Sequence, residues 1–349
     1  MKFLRLAFYV LIAQLVLSGC AGEGVEETSS SSSSEINFDA YLGRNASTRA
    51  GVNNIDSLKG KGFGVFARYN HNGAISPLMD NEHVTWNEKE NHWGYTNTRY
   101  WPNEGTVDFY AFAPYLKNVE LVNAPDSTKD NPTCIKFTSS KSNVDLVWDV
   151  QKNKTVPTPS TDGKVKFQFK HALARLGFDI TANQELEENG AVIKVEEVKL
   201  YGDTIVNGAF DIKGYLNLEN GGWSRPKENT RVVYTWTPTG AEDGTFKLSA
   251  SQLDHTCKKI ENAPNSYLCI IPQEKYQSFY LQITYTVQQG TFEEEVKVKK
   301  DLTGIRKPFK FEKGKAYVFH LKLSLDPINF YVTTTVVDWK EGKNETMIL

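Results

Sequence analysis

Apolar and polar residues alternate with a period of two through most of this chain. In residues 35–42, Ile36, Phe38, Ala40 and Leu42 fall on one face. In residues 281–287, Leu281, Ile283, Tyr285 and Val287 alternate with Gln282, Thr284 and Thr286. In residues 292–299, Phe292, Val296 and Val298 oppose Glu293, Glu295, Lys297 and Lys299. In residues 317–325, Tyr317, Phe319, Leu321, Leu323 and Leu325 oppose His320, Lys322 and Ser324. This is the pattern of half-buried strands. Turn signals such as His71-Asn72-Gly73, Glu219-Asn220-Gly221-Gly222 and Gln288-Gln289-Gly290 punctuate the runs. No convincing helical stripe of twelve or more residues stands out. The pattern predicts an all-β chain of antiparallel β-sandwiches.

One run changes parity. Val165, Phe167 and Phe169 are odd-numbered, whereas Ala172, Ala174, Leu176, Phe178 and Ile180 are even-numbered. A switch near His171 predicts a bulge or a change of sheet, because a one-residue slip exchanges the faces of a strand. The preceding segment, QKNKTVPTPSTDGK at 151–164, is rich in Pro, Thr and Lys and reads as a linker. The expected division is therefore an N-terminal β-sandwich over 36–163 and a C-terminal one over 164–349.

The N-terminus has a different character. Lys2 and Arg5 precede an apolar run from Leu6 to Leu17, and the sequence Leu17-Ser18-Gly19-Cys20 follows. The run is short for a bilayer span, which needs ~20 apolar residues. It has the form of a secretory signal over 1–20 ending in a lipobox, with Cys20 as the acylated residue. Residues 21–35 include six consecutive serines and read as a disordered tether. These features predict export and a lipid anchor that holds the chain off the membrane on a tether.

Composition narrows the function. The 40 basic and 42 acidic residues nearly cancel, and no basic stripe occurs, so nucleic acid is not an expected partner. No metalloprotease, nucleophile-elbow, phosphate-loop or dinucleotide motif is present, so neither catalysis nor a cofactor is expected. His255, Cys257 and Cys269 match no standard zinc spacing. With Cys20 assigned to lipid, Cys134, Cys257 and Cys269 remain. A Cys257–Cys269 bridge and buried free thiols are both open. The segment around Trp86, Trp93 and Trp101 is rich in aromatic and polar residues. It reads either as aromatics packed over the first sandwich or as a stacking platform for sugars.

Four stretches, in order, resemble the fimbrillin family of lipoprotein-derived pilins. They are the lipobox with its serine tether; STRAG with LKGKGFGVFARY; RYWPNEGTVDFYAFAPY followed by FQFKHALARLGFDITA; and the closing FEKGKAYVFHLKLSLDPINFYVTTTVVDWKEG. The resemblance implies two transthyretin-like β-sandwich domains and a surface fimbrial subunit that supports adhesion and is carried to the outer membrane as a lipoprotein. Its implied partners are other subunits, with a host or bacterial surface ligand as a further possibility. It also implies cleavage after an arginine, which removes the first strand and opens a groove for a neighbour's strand. Arg49–Ala50 is the first candidate bond and Arg44–Asn45 the second. The removable strand would carry Ile36, Phe38, Ala40 and Leu42. The candidate donor strand carries Phe330, Val332, Thr334 and Val336, with β-branched or apolar residues on both faces. The rival function is a surface glycan-binding lipoprotein using Trp86, Trp93 and Trp101.

Overall fold

A computed structural model describes residues 34–42, 52–125, 127–128, 131–139, 144–158, 162–182, 192–202, 210–226, 231–236, 246–248, 268–272, 279–302, 311–323 and 331–338. The first elements are β1 (Asn37–Leu42), α1 (Val52–Lys61), β2 (Phe63–His71), β3 (Ala74–Asn87), β4 (His92–Gly94), β5 (Thr106–Ala113), β6 (Cys134–Thr138), β7 (Val147–Lys154) and β8 (Lys164–His171). Next come β9 (Ala174–Ala182), β10 (Val192–Tyr201), β11 (Phe210–Asp211), β12 (Lys213–Asn217), β13 (Trp223–Ser224), β14 (Arg231–Val232) and β15 (Tyr234–Trp236). The last are β16 (Phe246–Leu248), β17 (Leu268–Ile270), β18 (Tyr280–Gln289), β19 (Phe292–Asp301), β20 (Lys315–Leu323) and β21 (Tyr331–Asp338).

Seven strands close on themselves in the order β1-β4-β3-β2-β5-β7-β8. Closure leaves no open edge to pair with a stray strand. The interior is aromatic, with Phe63, Phe109, Phe167, Phe169, Trp93 and Trp101 among its buried residues. In the second half, the β15-β10-β18-β19 sheet and the β17-β9-β20-β21 sheet share one core. Ile193 and Ile283 from the first sheet join Leu176 and Phe319 from the second in that core. The alternation read along residues 281–287 and 317–323 is the pattern that fills this sandwich.

The parity switch near His171 is a change of sheet. β8 pairs with β1 and β7, whereas β9 pairs with β17 and β20. Between them, Ala172 and Leu173 are consecutive and both fully buried. A strand cannot bury adjacent side chains on one face, so the alternation must break there. The Ala172 N–H donates to the Leu146 carbonyl at 2.8 Å, and the Gly314 N–H donates to the Leu173 carbonyl at 2.8 Å. His171 Nδ1 lies 2.8 Å from Asp145 Oδ2. The whole of β8 therefore lies with the first sheet, although the boundary expected near residue 163 would place it in the second half.

Three further features differ from the expectations. The strands are not all antiparallel: β1 with β8, and β9 with β20, are parallel pairs. The alternating pattern identifies a buried face but carries no information on strand direction. A helix, α1, stands where none was expected. Its Leu58 is buried, Lys59 and Lys61 lie in its last turn, and Gly62 at φ 66 ends it. The Gly62 N–H donates to the Leu58 carbonyl at 2.8 Å, and glycine adopts this left-handed conformation at little cost. Ten residues were too few to produce a readable stripe. Finally, the halves are fused. β6, from the first half, pairs with β12 over five registered positions. A third core joins Phe66, Phe112 and Trp148 to Leu216, Leu218 and Ile271. Residues Ser34–Leu349 accordingly form one compact unit.

Candidate functional site

β1 closes the first sheet between β4 and β8. Six registered pairs run parallel to β8, from Asn37 opposite Lys164 to Leu42 opposite Phe169. On the other side, Phe38 stands opposite Trp93, and Glu35 bridges to Tyr100. Alternation puts Ile36, Phe38 and Ala40 inside, where all three are buried, and Leu42 is half-buried against the same core. Phe38 is enclosed by rings: Tyr95 at 5.5 Å, Phe167 at 5.8 Å, Phe109 at 6.0 Å and Phe63 at 6.3 Å. Edge-to-face and offset pairs of this kind add ~0.5–1.5 kcal/mol each beyond their area.

The start of β1 is clasped by the connection from β4 to β5. The Ile36 N–H donates to the Arg99 carbonyl at 2.8 Å, and the Trp101 N–H donates to the Ser34 carbonyl at 3.0 Å. Tyr95 Oη donates to the Ile36 carbonyl at 2.7 Å and accepts from the Arg99 N–H at 3.2 Å. Burial raises the Tyr95 pKa, so the hydroxyl stays a donor. On the outer row, Tyr41 Oη donates to Asp39 Oδ2 at 2.5 Å, and that bond helps push the Tyr41 pKa up to about 12.

Past Leu42, residues 43–51 lead to α1. That connection holds Arg44, Arg49 and Ala50, and it lies outside the described residues, as does Cys20. Cutting this connection would leave β1 held to the body by burial and hydrogen bonds. Its departure would uncover Phe63, Trp93, Phe109 and Phe167, together with the backbone groups along β8 and β4.

The donor candidate is placed in part. Phe330 lies outside the described residues, while Val332, Thr334 and Val336 lie on β21. By register they stand opposite Leu321, Phe319 and Tyr317 of β20, all of which are buried. Among the described residues β21 is the edge strand of its sheet, and it is paired within its own chain.

The tryptophans do not form a surface platform. Trp93 and Trp101 are each only 3% exposed and belong to the first core. Trp86 packs against that core at 5.3 Å from Trp93, with the Lys59 ammonium 3.9 Å from its ring centre. The alternating strands turn these rings inward, so no stacking face for a sugar is left on Trp93 or Trp101. Cys134 and Cys269 are buried free thiols, and Cys257 lies outside the described residues. Burial raises both thiol pKa values, which keeps them protonated and unreactive. Among the described residues, no group of three or more His, Cys, Asp or Glu could hold a metal ion. The clasp by Tyr95 had no sequence signal, since Tyr95 reads there as one aromatic among several.

A profile of the fimbrillin-like family matches residues 48–339. The chain belongs to that family. A curated relative of this fimbrillin-like protein, fimbrium subunit Fim1C of Phocaeicola vulgatus, is 31% identical over 189 residues. That match covers 48% of the present chain and 48% of the relative, so the chain spans about half the length of the curated relative it matches. A solved fimbrial protein of Bacteroides vulgatus superposes with a TM-score of 0.62 at 22% identity, over 88% of this chain and 99% of that one. A candidate cell adhesion protein of Bacteroides uniformis gives 0.51 at 16% identity, over 88% and 98% of the two chains. At these identities the two structures establish the shared all-β fold.

Proposed function

We propose that this fimbrillin-like protein is a non-catalytic structural subunit of a surface fimbria. In this scheme it is exported as a lipoprotein acylated on Cys20, tethered to the outer membrane through residues 21–35, and built into a polymer by strand exchange. Cleavage after Arg49, or after Arg44, frees β1 from the body. The groove it leaves then takes an extended strand from another subunit, with the β21 segment as the donor candidate. The partners are other fimbrial subunits. In this scheme the chain carries two β domains and passes from one to the other at Ala172–Leu173, where it changes sheet.

One observation carries this proposal. β1 is a sheet-closing strand with its apolar row in the core, joined to the body by a connection that contains two arginines. An arriving strand could restore both the backbone pairing with β8 and β4 and the apolar row. Each large apolar side chain returned to the core contributes ~1.5–3 kcal/mol.

The test is the N-terminus of the surface protein, read by mass spectrometry of the intact chain and its peptides. A start at Ala50 or Asn45 without lipid is expected of a polymerising stalk subunit. Acylated Cys20 on all of the surface protein would overturn strand removal and leave an anchored subunit.

A further inference from the structure

β19 is the outer strand of its sheet, with β18 on one side and no strand on the other among the described residues. Its side chains are exposed from Phe292 to Glu295, at Lys297 and from Lys299 to Asp301, and Phe292 is 58% exposed. Charges on such an edge commonly guard it against stray pairing. Guarding needs charge alone, but here the charges are ordered. Glu293, Glu294 and Glu295 precede Val296, and Lys297, Lys299 and Lys300 follow it.

The hairpin fixes which backbone groups face outward. Gln289 stands opposite Phe292 across Gly290–Thr291, with Gly290 at φ 61, the glycine-first pattern of a type II′ turn. The pair flanking such a turn is hydrogen-bonded, and bonded pairs alternate along the ladder. Phe292, Glu294, Val296, Val298 and Lys300 therefore bond toward β18. Glu293, Glu295, Lys297 and Lys299 direct their N–H and C=O groups to the open edge.

A second copy approaching this edge antiparallel is related by a two-fold axis normal to the sheet, which keeps faces matched. One residue then lies on the axis opposite its own copy. With Glu295 there, two carboxylates meet; with Lys297 there, two ammonium groups meet. With Val296 on the axis, Glu293 faces Lys299 and Glu295 faces Lys297, each twice, on one face of the sheet. On the other face, Glu294 lies diagonal to Lys300, within reach of long side chains. Lys297 already pairs with Glu295 of its own strand at 2.7 Å, and Lys299 lies 4.1 Å from the Tyr280 ring centre. These contacts hold the charges in the row that a second copy would meet.

We propose that β19 is a self-complementary edge through which two copies of this chain join antiparallel, with Val296 on the axis. The contact is independent of strand exchange, since β1 belongs to a different sheet.

The test uses the full-length exported chain with Cys20→Ser, so that no acyl chain contributes. Arg44→Ala and Arg49→Ala in the same chain keep β1 in place. Sedimentation equilibrium at rising concentration and low salt should show the mass moving from monomer toward dimer. Raising salt to about 0.5 M should weaken that association. Glu293→Lys with Glu295→Lys makes an all-basic odd row, and Lys297→Glu with Lys299→Glu makes an all-acidic one. Each double variant alone should associate about tenfold more weakly or worse, because like charges then face each other. An equimolar mixture of the two should recover association as a heterodimer, visible by native mass spectrometry. Circular dichroism of each variant checks that it is folded, and the salt dependence of the parent chain tests the contact without any change at β19. A parent chain that stays monomeric would overturn the proposal and leave β19 a guarded edge. So would double variants that associate as well as the parent, or a mixture that recovers nothing.

Discussion

Phe38 carries more ring contacts than any other side chain of β1, and truncating it is the sharpest single-residue test of how that strand is held. Phe38→Ala removes a fully buried ring from among Tyr95, Phe167, Phe109 and Phe63. The expected cost is ~3–5 kcal/mol, the range for buried Phe→Ala, measured by urea unfolding. Asn37→Ala, on the exposed row of the same strand, should stay within about 0.5 kcal/mol. Equal effects would mean that the apolar row does not hold β1. A second contrast concerns two glycines with similar positive φ. Gly221 has φ 68, and a Cβ there would lie 2.1 Å from Trp148 Cζ2. Gly290 has φ 61, with nothing within 4 Å of the added carbon. Gly290→Ala should cost ~1–3 kcal/mol for the positive φ alone. Gly221→Ala should add ~1–3 kcal/mol of overpacking to that strain. Matching losses in denaturant would show that Trp148 yields freely.

At the scale of elements, the question is how β1 would be retained if its connection to α1 were cut. Six parallel pairs to β8 form one side, and the Tyr95 clasp secures the start of the other. Tyr95→Phe keeps the ring against Phe38 and deletes only the hydroxyl between Ile36 and Arg99. A net loss of ~0.5–1.5 kcal/mol is expected. If the clasp opens before β1 leaves, loss of the strand after a site-specific cut within residues 43–51 should accelerate by up to about tenfold. Native mass spectrometry of the nicked chain follows this directly, and an unchanged rate would assign retention to β8 alone. The sequence identified the apolar face of β1, the turn at Asn72–Gly73 and the break near His171. Each is a local property: alternation, a left-handed Asn-Gly pair, two adjacent buried residues. It did not identify β8 as the partner of β1 or the parallel sense of that pair. Packing of Trp93 and Trp101 over the first sandwich was one of two readings the sequence offered, because an aromatic-rich run reads alike whether its rings line a core or a surface. Pairing partners far apart in sequence are chosen by packing, which one-dimensional periodicity does not record.

At the scale of the whole molecule, two β domains were expected, divided near residue 163, and a third core joins the two halves. β6 of the first half pairs with β12 of the second, with Ile135 opposite Leu216 and both fully buried. Trp148 is clamped at the same junction by Gly221 and by the Lys313 ammonium, 5.4 Å from its ring. Lys313 also donates to the Asn220 and Gly221 carbonyls at 2.9 and 2.8 Å. Shared apolar burial couples the stabilities of the halves, so either half alone would expose that surface to water. Calorimetry of the chain should therefore give one cooperative transition, with calorimetric and van't Hoff enthalpies in agreement. Leu216→Ala removes a side chain that serves mainly the junction, at a cost of ~2–5 kcal/mol. If that burial is what couples the halves, the variant should unfold in two resolved steps, or with a calorimetric enthalpy clearly above the van't Hoff value. Two transitions in the unaltered chain would show instead that the junction is too weak to join the halves. In a filament of the proposed kind, loaded end to end, those alternatives differ in where a subunit first gives way: as a single body, or at the seam between β6 and β12.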